Sequence, residues 1–256
     1  MQADYAAAYG ELESWHWWFR GRQRILEAVL RRAFAETTLP GPRSIVSVGS
    51  GPPSGIAWLT PFAGEDGLVV GLDADPSGAL RAAAATQPAP AGVQLVAGTM
   101  EAAPLRRHAA HAVLALDVIE HLDDDAGGLA EAASIVAPGG FLLVTVPALP
   151  SLWGAQDAVN HHRRRYTRRS LADAFGRARL SAPRLTFFNT LLFPPIAAVR
   201  WTRRLLRRPP NGRSDFDGAR PGLQNNVLEE IFAAERAIVA RGSLPFGVSL
   251  LGLLRC

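Results

Sequence analysis

The run Ser44-Ile45-Val46-Ser47-Val48-Gly49-Ser50-Gly51-Pro52-Pro53-Ser54-Gly55 decides the fold. A short apolar segment, Ser44–Val48, ends in glycines and passes directly into a helical stretch, Gly55–Phe62. Glycine lets the backbone approach a ligand closely, and a helix N-terminus offers free N–H groups. The spacing is not that of a dinucleotide loop, because Ser54 stands where G-x-G-x-x-G needs its third glycine; pyrophosphate binding is disfavoured accordingly. Outward from this run, the apolar segments Leu68–Leu72, Val93–Ala97, Ala112–Leu116 and Phe141–Val146 alternate with helical stretches at Pro76–Thr86 and Asp123–Val136. Strands without in-out alternation are buried on both faces, as in a parallel sheet between helices. The rhythm predicts an α/β fold, a Rossmann-like doubly wound sheet of seven strands with helices on both faces.

The flanks extend this frame. Residues 14–38 read as a helix, with Ser14 as N-cap and Pro40-Gly41-Pro42 as its stop. Beyond the fifth strand come a helix at Ser170–Ala178, a strand at Arg184–Asn189, a helical stretch at Leu191–Arg208, a polar loop at Pro209–Gly222, a helix at Asn225–Arg241 and a closing strand at Gly247–Leu254. We expect three parts. Residues 1–42 form an N-terminal helical cap segment, residues 43–189 and 243–256 form the sheet domain, and residues 190–242 form a helical insertion. The cap segment and the insertion are expected to close over the carboxyl edge of the sheet.

The 256 residues are 48% hydrophobic and 20% charged, enough apolar material for a packed core and too much for a disordered chain. Cys256 is the single cysteine, which excludes a disulfide within the chain and argues against a cysteine zinc site. All 27 basic residues are arginine. Fourteen of them, against one acid (Asp173), fall between Asn160 and Arg213, a net charge of +13 on that segment. Such a segment favours an anionic partner (phosphate, nucleic acid or a membrane surface) as readily as it makes solvated helix faces. Met1-Gln2-Ala3-Asp4-Tyr5 lacks the basic-then-apolar order of a secretory leader, and no run reaches the roughly 18 apolar residues of a membrane span. The expectation is a cytoplasmic protein, with the inner membrane face as an alternative site of action.

Val69-Val70-Gly71-Leu72-Asp73 ends the second strand on an acid. A carboxylate there can accept the ribose hydroxyls of an adenosine-containing cofactor. Asp75, just before Pro76, fits a helix N-cap better and leaves Asp73 free. Gly98-Thr99-Met100-Glu101 follows the third strand. Together these segments resemble the class I S-adenosylmethionine-dependent methyltransferases, and more narrowly the bacterial small-molecule enzymes of the methyltransferase domain 11/23 type. Ile45–Gly55, Asp73, Gly98–Leu105, Leu116–Leu122 and Pro138-Gly139-Gly140 carry the resemblance, which extends over nearly the whole chain. It implies S-adenosylmethionine as cofactor, held by Ser47, Gly49, Ser50, Gly51, Asp73, Ala74, Thr99, Met100, Glu101 and Asp117. Ser47 and Thr99 stand where the family usually has acids, and Pro52-Pro53 stiffens the loop.

Asp117-Val118-Ile119-Glu120-His121 is the second cluster. If a helical turn starts here, Asp117, Glu120 and His121 share a face. Carboxylates with imidazole suit a divalent cation such as Mg2+. The pattern is similar to the E-x-x-E-H…H metal site of small-RNA 2′-O-methyltransferases and ubiquinone-pathway O-methyltransferases, with His162 as the distant ligand. The metal-free reading is preferred, because Ile-Glu-His-Leu lines the substrate cavity of many relatives. His121, His161 and His162, supported by Asp117, are candidates for positioning or deprotonating the acceptor, since a neutral imidazole is a suitable base for a hydroxyl. Trp17 and Trp18, with Asp157, Arg163, Arg164 and Tyr166, are candidate substrate contacts. The arginines would attract an anionic acceptor.

Phe187–Pro195, followed by Trp201, Arg203, Arg204, Arg207 and Arg208, suits either a membrane-interface helix or a pocket for a greasy anionic substrate. A core helix with an Arg-rich solvent face is narrowly preferred. The function expected is methyl transfer to a small-molecule acceptor, anionic or hydrophobic, most simply at oxygen: a natural product, sugar, quinone or lipid-linked hydroxyl. Two alternatives stand beside it. One is RNA 2′-O-methylation, which the basic segment permits, though nothing resembles an added RNA-binding domain. The other is an inactive fold serving as a membrane-associated interaction module.

Overall fold

The computed structural model describes residues 12–75, 91–206 and 220–256. The helix expected at Pro76–Thr86, most of the loop at Pro209–Gly222, and Arg207 and Arg208 lie outside them.

Seven strands form one sheet: β1 (Ser44–Val48), β2 (Leu68–Asp73), β3 (Val93–Ala97), β4 (Ala110–Leu116), β5 (Val136–Pro147), β6 (Arg184–Phe188) and β7 (Ser249–Arg255). Their order is β3-β2-β1-β4-β5-β7-β6. The first five are parallel, and β7 runs antiparallel between β5 and β6. β5 begins earlier than its apolar run. Val136 pairs with Ala110, the register shifts, and Pro138-Gly139-Gly140 sits inside the strand rather than before it.

The helices are α1 (Trp17–Ala35), α2 (Pro53–Ile56), α3 (Thr60–Ala63), α4 (Asp125–Ile135), α5 (Ala155–Val159), α6 (Arg168–Arg177), α7 (Phe193–Leu205), α8 (Leu223–Ala233) and α9 (Arg236–Arg241). Two apolar layers cover the sheet. On one face Val46, Val113, Leu142 and Val144 pack with Leu129 of α4 and Phe175 of α6. On the other, Ile45, Leu114 and Leu143 pack with Ile25, Val29 and Leu30 of α1 and with Phe232 and Val239 of α8 and α9. The strands are buried on both sides because both layers are filled, and their continuous apolar runs follow from that.

Several expectations are corrected. The helix cap before α1 is His16, not Ser14: its Nδ1 accepts the Trp18 N–H at 3.2 Å. The single helix expected at Asn225–Arg241 is two, α8 and α9, joined at Ala234-Glu235. The Glu235 carboxylate turns away from that junction and accepts the Leu191 N–H at 2.6 Å. The insertion does not sit as a lid on the sheet edge. α8 and α9 lie along α1 over one sheet face, and Gly21 lets the ring of Phe232 reach the α1 backbone, since a Cβ there would come within 2.6 Å of it. Only α7 starts at the carboxyl edge. Its solvent side carries apolar residues beside the exposed Arg203 and Arg204: Val199, Trp201, Leu205 and Leu206 are all exposed.

Candidate active site

β1, β4 and β5 end side by side, so the loops after them meet at the carboxyl edge of the sheet. In the first loop the Gly49 N–H donates to the Leu72 carbonyl at 2.8 Å. Gly49 and Gly51 both adopt a φ near +60°, the left-handed region that favours glycine. A Cβ on Gly49 would come within 2.9 Å of Val118, so this backbone abuts the loop after β4. A Cβ on Gly51 would meet nothing within 4 Å, so the loop has an open floor there.

Asp73, half-buried at the end of β2, ties this loop to the neighbouring strand. Its Oδ2 accepts the Gly51 N–H at 2.9 Å, and its Oδ1 accepts the Asp75 N–H at 2.9 Å. Each oxygen accepts one of these bonds, and a carboxylate oxygen has two acceptor sites, so capacity for ribose hydroxyls is left. Ser47 is buried within β1, opposite Gly71 and Leu114. Ala74, Thr99 and Glu101 are exposed, and Met100 is buried with its side chain near Gly128. An open glycine floor beside a carboxylate with spare acceptor sites fits the adenosyl and methionyl parts of S-adenosylmethionine.

After β4 the chain makes a turn, not a helix. Asp117 has φ +59°, and its carboxylate is engaged by other partners. Its carboxylate accepts the Thr145 hydroxyl at 3.2 Å and pairs with Arg22 of α1 at 2.6 Å. Arg22 also donates to the Thr145 hydroxyl at 3.0 Å, and its guanidinium lies 5.0 Å from the Trp18 ring centre. Asp117 is therefore neutralised from the N-terminal helix and stands outside the candidate metal cluster.

Glu120, His121 and His162 do converge, with ligand atoms within 4.8 Å of one another. Glu120 is fully buried, and among the described residues neither carboxylate oxygen has a hydrogen-bond partner. Burial, reinforced by the charge of Asp117, pushes its carboxyl well above the usual carboxylate range. His162 Nε2 lies 3.9 Å from its Oε1. His162 Nδ1 lies 2.9 Å from Asp157 Oδ1; with the ring's proton placed there, Nε2 presents a lone pair toward Glu120. His121 stacks edge-on against His162, ring centres 4.9 Å apart. Burial and then the neighbouring His162 hold His121 down to about 4, so it is neutral near pH 7. His161 is exposed with φ +55° and does not join the cluster through its ring.

The remaining candidates make contacts within the protein around this cluster. Asp157 is fully buried and accepts from the Gly154 N–H, His162 Nδ1 and Arg165 Nε, at 2.7, 2.9 and 2.8 Å. Burial alone would raise its carboxyl, but His162 and Arg165 pull it down to about 2. Arg163 donates to the His121 carbonyl at 2.7 Å and pairs with Asp123. Arg164 donates to the Leu122 carbonyl at 2.7 Å and pairs with Asp125 at 3.3 Å. The Tyr166 hydroxyl is buried on the Ile119 carbonyl and Asp125. All three clamp the 119–125 turn that carries Glu120 and His121. Trp17 packs on Phe232 of α8, and Trp18 lies under Arg22.

Composition did not mark three residues at this edge. Arg22 is one of many arginines, Thr145 is an ordinary strand residue, and Glu13 reaches across so that its carboxylate lies 3.0 Å from where a Gly55 Cβ would be. Burial raises Glu13 to about 6, and Arg22 acts against that rise.

The profile of the methyltransferase domain family matches residues 46–144, which span the glycine loop, Asp73, the turn after β4 and most of β5. The chain carries a class I S-adenosylmethionine-dependent methyltransferase domain. By that domain it is a methyl-transferring enzyme, and S-adenosylmethionine is the cofactor of the class. No curated protein sequence matches it. Solved structures share its fold at low identity. A methyltransferase from Haloferax volcanii, in complex with the Trm112 methyltransferase activator, is 18% identical with a TM-score of 0.59, covering 98% of this chain and 94% of that one. Geranyl diphosphate C-methyltransferase from Streptomyces coelicolor A3(2), with Mg2+, geranyl diphosphate and S-adenosyl-L-homocysteine, is 16% identical with a TM-score of 0.54, covering 90% and 78%. A SAM-dependent methyltransferase from Thermotoga maritima is 16% identical with a TM-score of 0.51, covering 98% and 96%.

Proposed function

We propose that this enzyme methylates a hydroxyl of a small-molecule acceptor, and that Glu120, His121 and His162 hold a divalent cation that orients and acidifies that hydroxyl. Bound on the Gly49–Gly51 loop, S-adenosylmethionine supplies the methyl group as an electrophilic sulfonium. The chain's own residues do the rest. Asp73 holds the ribose end, Gly51 leaves the room the cofactor needs, His121, neutral near pH 7, offers its lone pair to the cation, and the proton of the acidified hydroxyl passes to solvent water. Methyl transfer of this kind needs in-line placement and a deprotonated acceptor more than covalent help from the protein.

One observation carries the cation reading: a fully buried carboxylate with no hydrogen bond, beside a histidine whose other nitrogen is engaged by Asp157. A buried polar group left without a partner costs on the order of 1–3 kcal/mol, and more if charged. A cation offsets that cost, and the Asp157–His162 pair is the outer-shell arrangement that orients an imidazole ligand. Titration calorimetry with MnCl2 alone tests the site: wild type binds, and Glu120→Gln with His162→Gln does not. Release of S-adenosyl-L-homocysteine is then followed over a panel of phenols, quinols and sugars. Turnover of amines but not hydroxyls, with no Mn2+ binding, would overturn the proposal.

A further inference from the structure

We propose that the outward face of α7 is a docking surface for an anionic lipid bilayer. At 100° per residue, α7 turns Phe193, Ile196, Ala197 and Arg200 inward. Ala197 is buried against Leu152 and Val248, and Arg200 donates to the Leu152 carbonyl at 2.6 Å. The opposite arc is Pro194, Pro195, Ala198, Val199, Trp201, Thr202, Leu205 and Leu206, and every one of these residues is exposed. Thr202 is the one polar member of that arc. A surface helix of a water-facing protein places its charged residues there. Here Leu205 is 84% exposed, Leu206 57% and Val199 52%. The Phe193 ring links the arc to a neighbouring exposed ring, lying 6.3 Å from Trp201 and 5.3 Å from Phe246, and Trp153, next to Leu152, is exposed as well.

Charge identifies the occupant. Arg203 borders the apolar arc beside Val199, Arg204 is exposed on the last turn of the helix, and the sequence from residue 174 to residue 214 contains no Asp or Glu. A helix with an apolar arc, an interfacial Trp and Arg at its margins lies in the headgroup region of a bilayer, with the arginines on lipid phosphates and the apolar side chains below them. The face is too short to cross: no described helix is long and apolar enough to span a membrane. The docked face adjoins the loop that carries Asp157 and His162, through Arg200 and Leu152.

Co-sedimentation of the full chain with vesicles tests this, with neither cofactor nor acceptor present. Wild type is expected to pellet with phosphatidylcholine vesicles containing phosphatidylglycerol, at least tenfold more than with phosphatidylcholine alone, and to be released by salt. Leu205→Glu with Leu206→Glu is expected to lower retention more than tenfold. Arg203→Gln with Arg204→Gln is expected to lower it roughly tenfold and to remove most of the salt sensitivity. The leucines are outside the core, so circular dichroism and melting should be unchanged. Wild type that stays in the supernatant with both vesicles overturns the proposal, as does retention that the leucine pair does not alter. Sedimentation velocity provides the third overturning result: a wild-type dimer that the leucine pair converts to monomer, without vesicle binding, would make this face a contact between copies of the chain.

Discussion

Asp157 and Glu120 are both fully buried, lie on either side of the same histidine, and have opposite surroundings. Asp157 accepts from a backbone N–H, an imidazole and a guanidinium, and is held down to about 2. Glu120 has no hydrogen-bond partner on either oxygen among the described residues and is pushed up by burial. A buried carboxylate with both oxygens hydrogen-bonded belongs to the scaffold. One with neither bonded costs stability, and a chain keeps such a group where a ligand relieves the cost. Asp157 is therefore part of the scaffold that holds His162, and Glu120 is the carboxylate left for the proposed chemistry.

Removing Asp157 should give the largest effect. Asp157→Ala leaves Arg165 buried without its partner and frees the Gly154 N–H, and breaking such a pair costs about 3–5 kcal/mol. Urea denaturation measures it. Should this variant lose less than about 1 kcal/mol, the contrast between the two carboxylates fails.

Glu120→Gln should do the reverse. Folding stability should stay within about 1 kcal/mol of wild type, because no bond is lost, while turnover falls by roughly 100-fold, about 2.7 kcal/mol of barrier. The pair of measurements separates scaffold from site: Asp157 appears in the denaturation curve, and Glu120 in the rate.

The sequence made the sheet readable and the site only half so. Continuous apolar runs and glycine punctuation are local signals, and they placed β1, β2, β4 and the glycine loop within a few residues. Glu120, His121 and His162 were readable by type, because carboxylate and imidazole are the groups that hold cations. Asp117 shares that chemistry, yet the backbone takes a positive φ there and turns it to Arg22. Pairing across almost a hundred residues has no periodicity to read. For the same reason Arg163, Arg164 and Tyr166 read as substrate contacts when their partners are the carbonyls and acid of the 119–125 turn.

His16 gives a smaller, pH-dependent contrast between a buried histidine that caps a helix and the two in the cluster. Burial lowers its pKa from 6.5 to about 4. The folded state therefore binds this proton less readily than the unfolded chain. Its contribution is complete above about pH 6.5 and is lost as the pH falls toward 4. At pH 5 the loss is about 2 kcal/mol. Protonation of Nδ1 also removes the acceptor that caps Trp18. His16→Asn retains a capping acceptor and cannot titrate, so melting between pH 7 and pH 5 should lose this part of its slope.

Gly51→Ala should have only a modest effect on stability and discriminates best at the cofactor end. The φ of +60° costs an L-residue roughly 1–2 kcal/mol, while the added Cβ meets nothing within 4 Å. Backbone strain alone predicts that modest loss of stability and unchanged affinity for S-adenosyl-L-homocysteine. If the open floor is the bed of the cofactor, the same methyl group intrudes on bound ligand, and affinity falls by tenfold or more while melting moves only slightly. Calorimetry beside a melting curve distinguishes the two. The separation arises because the free loop has space at Gly51 and the loaded loop does not.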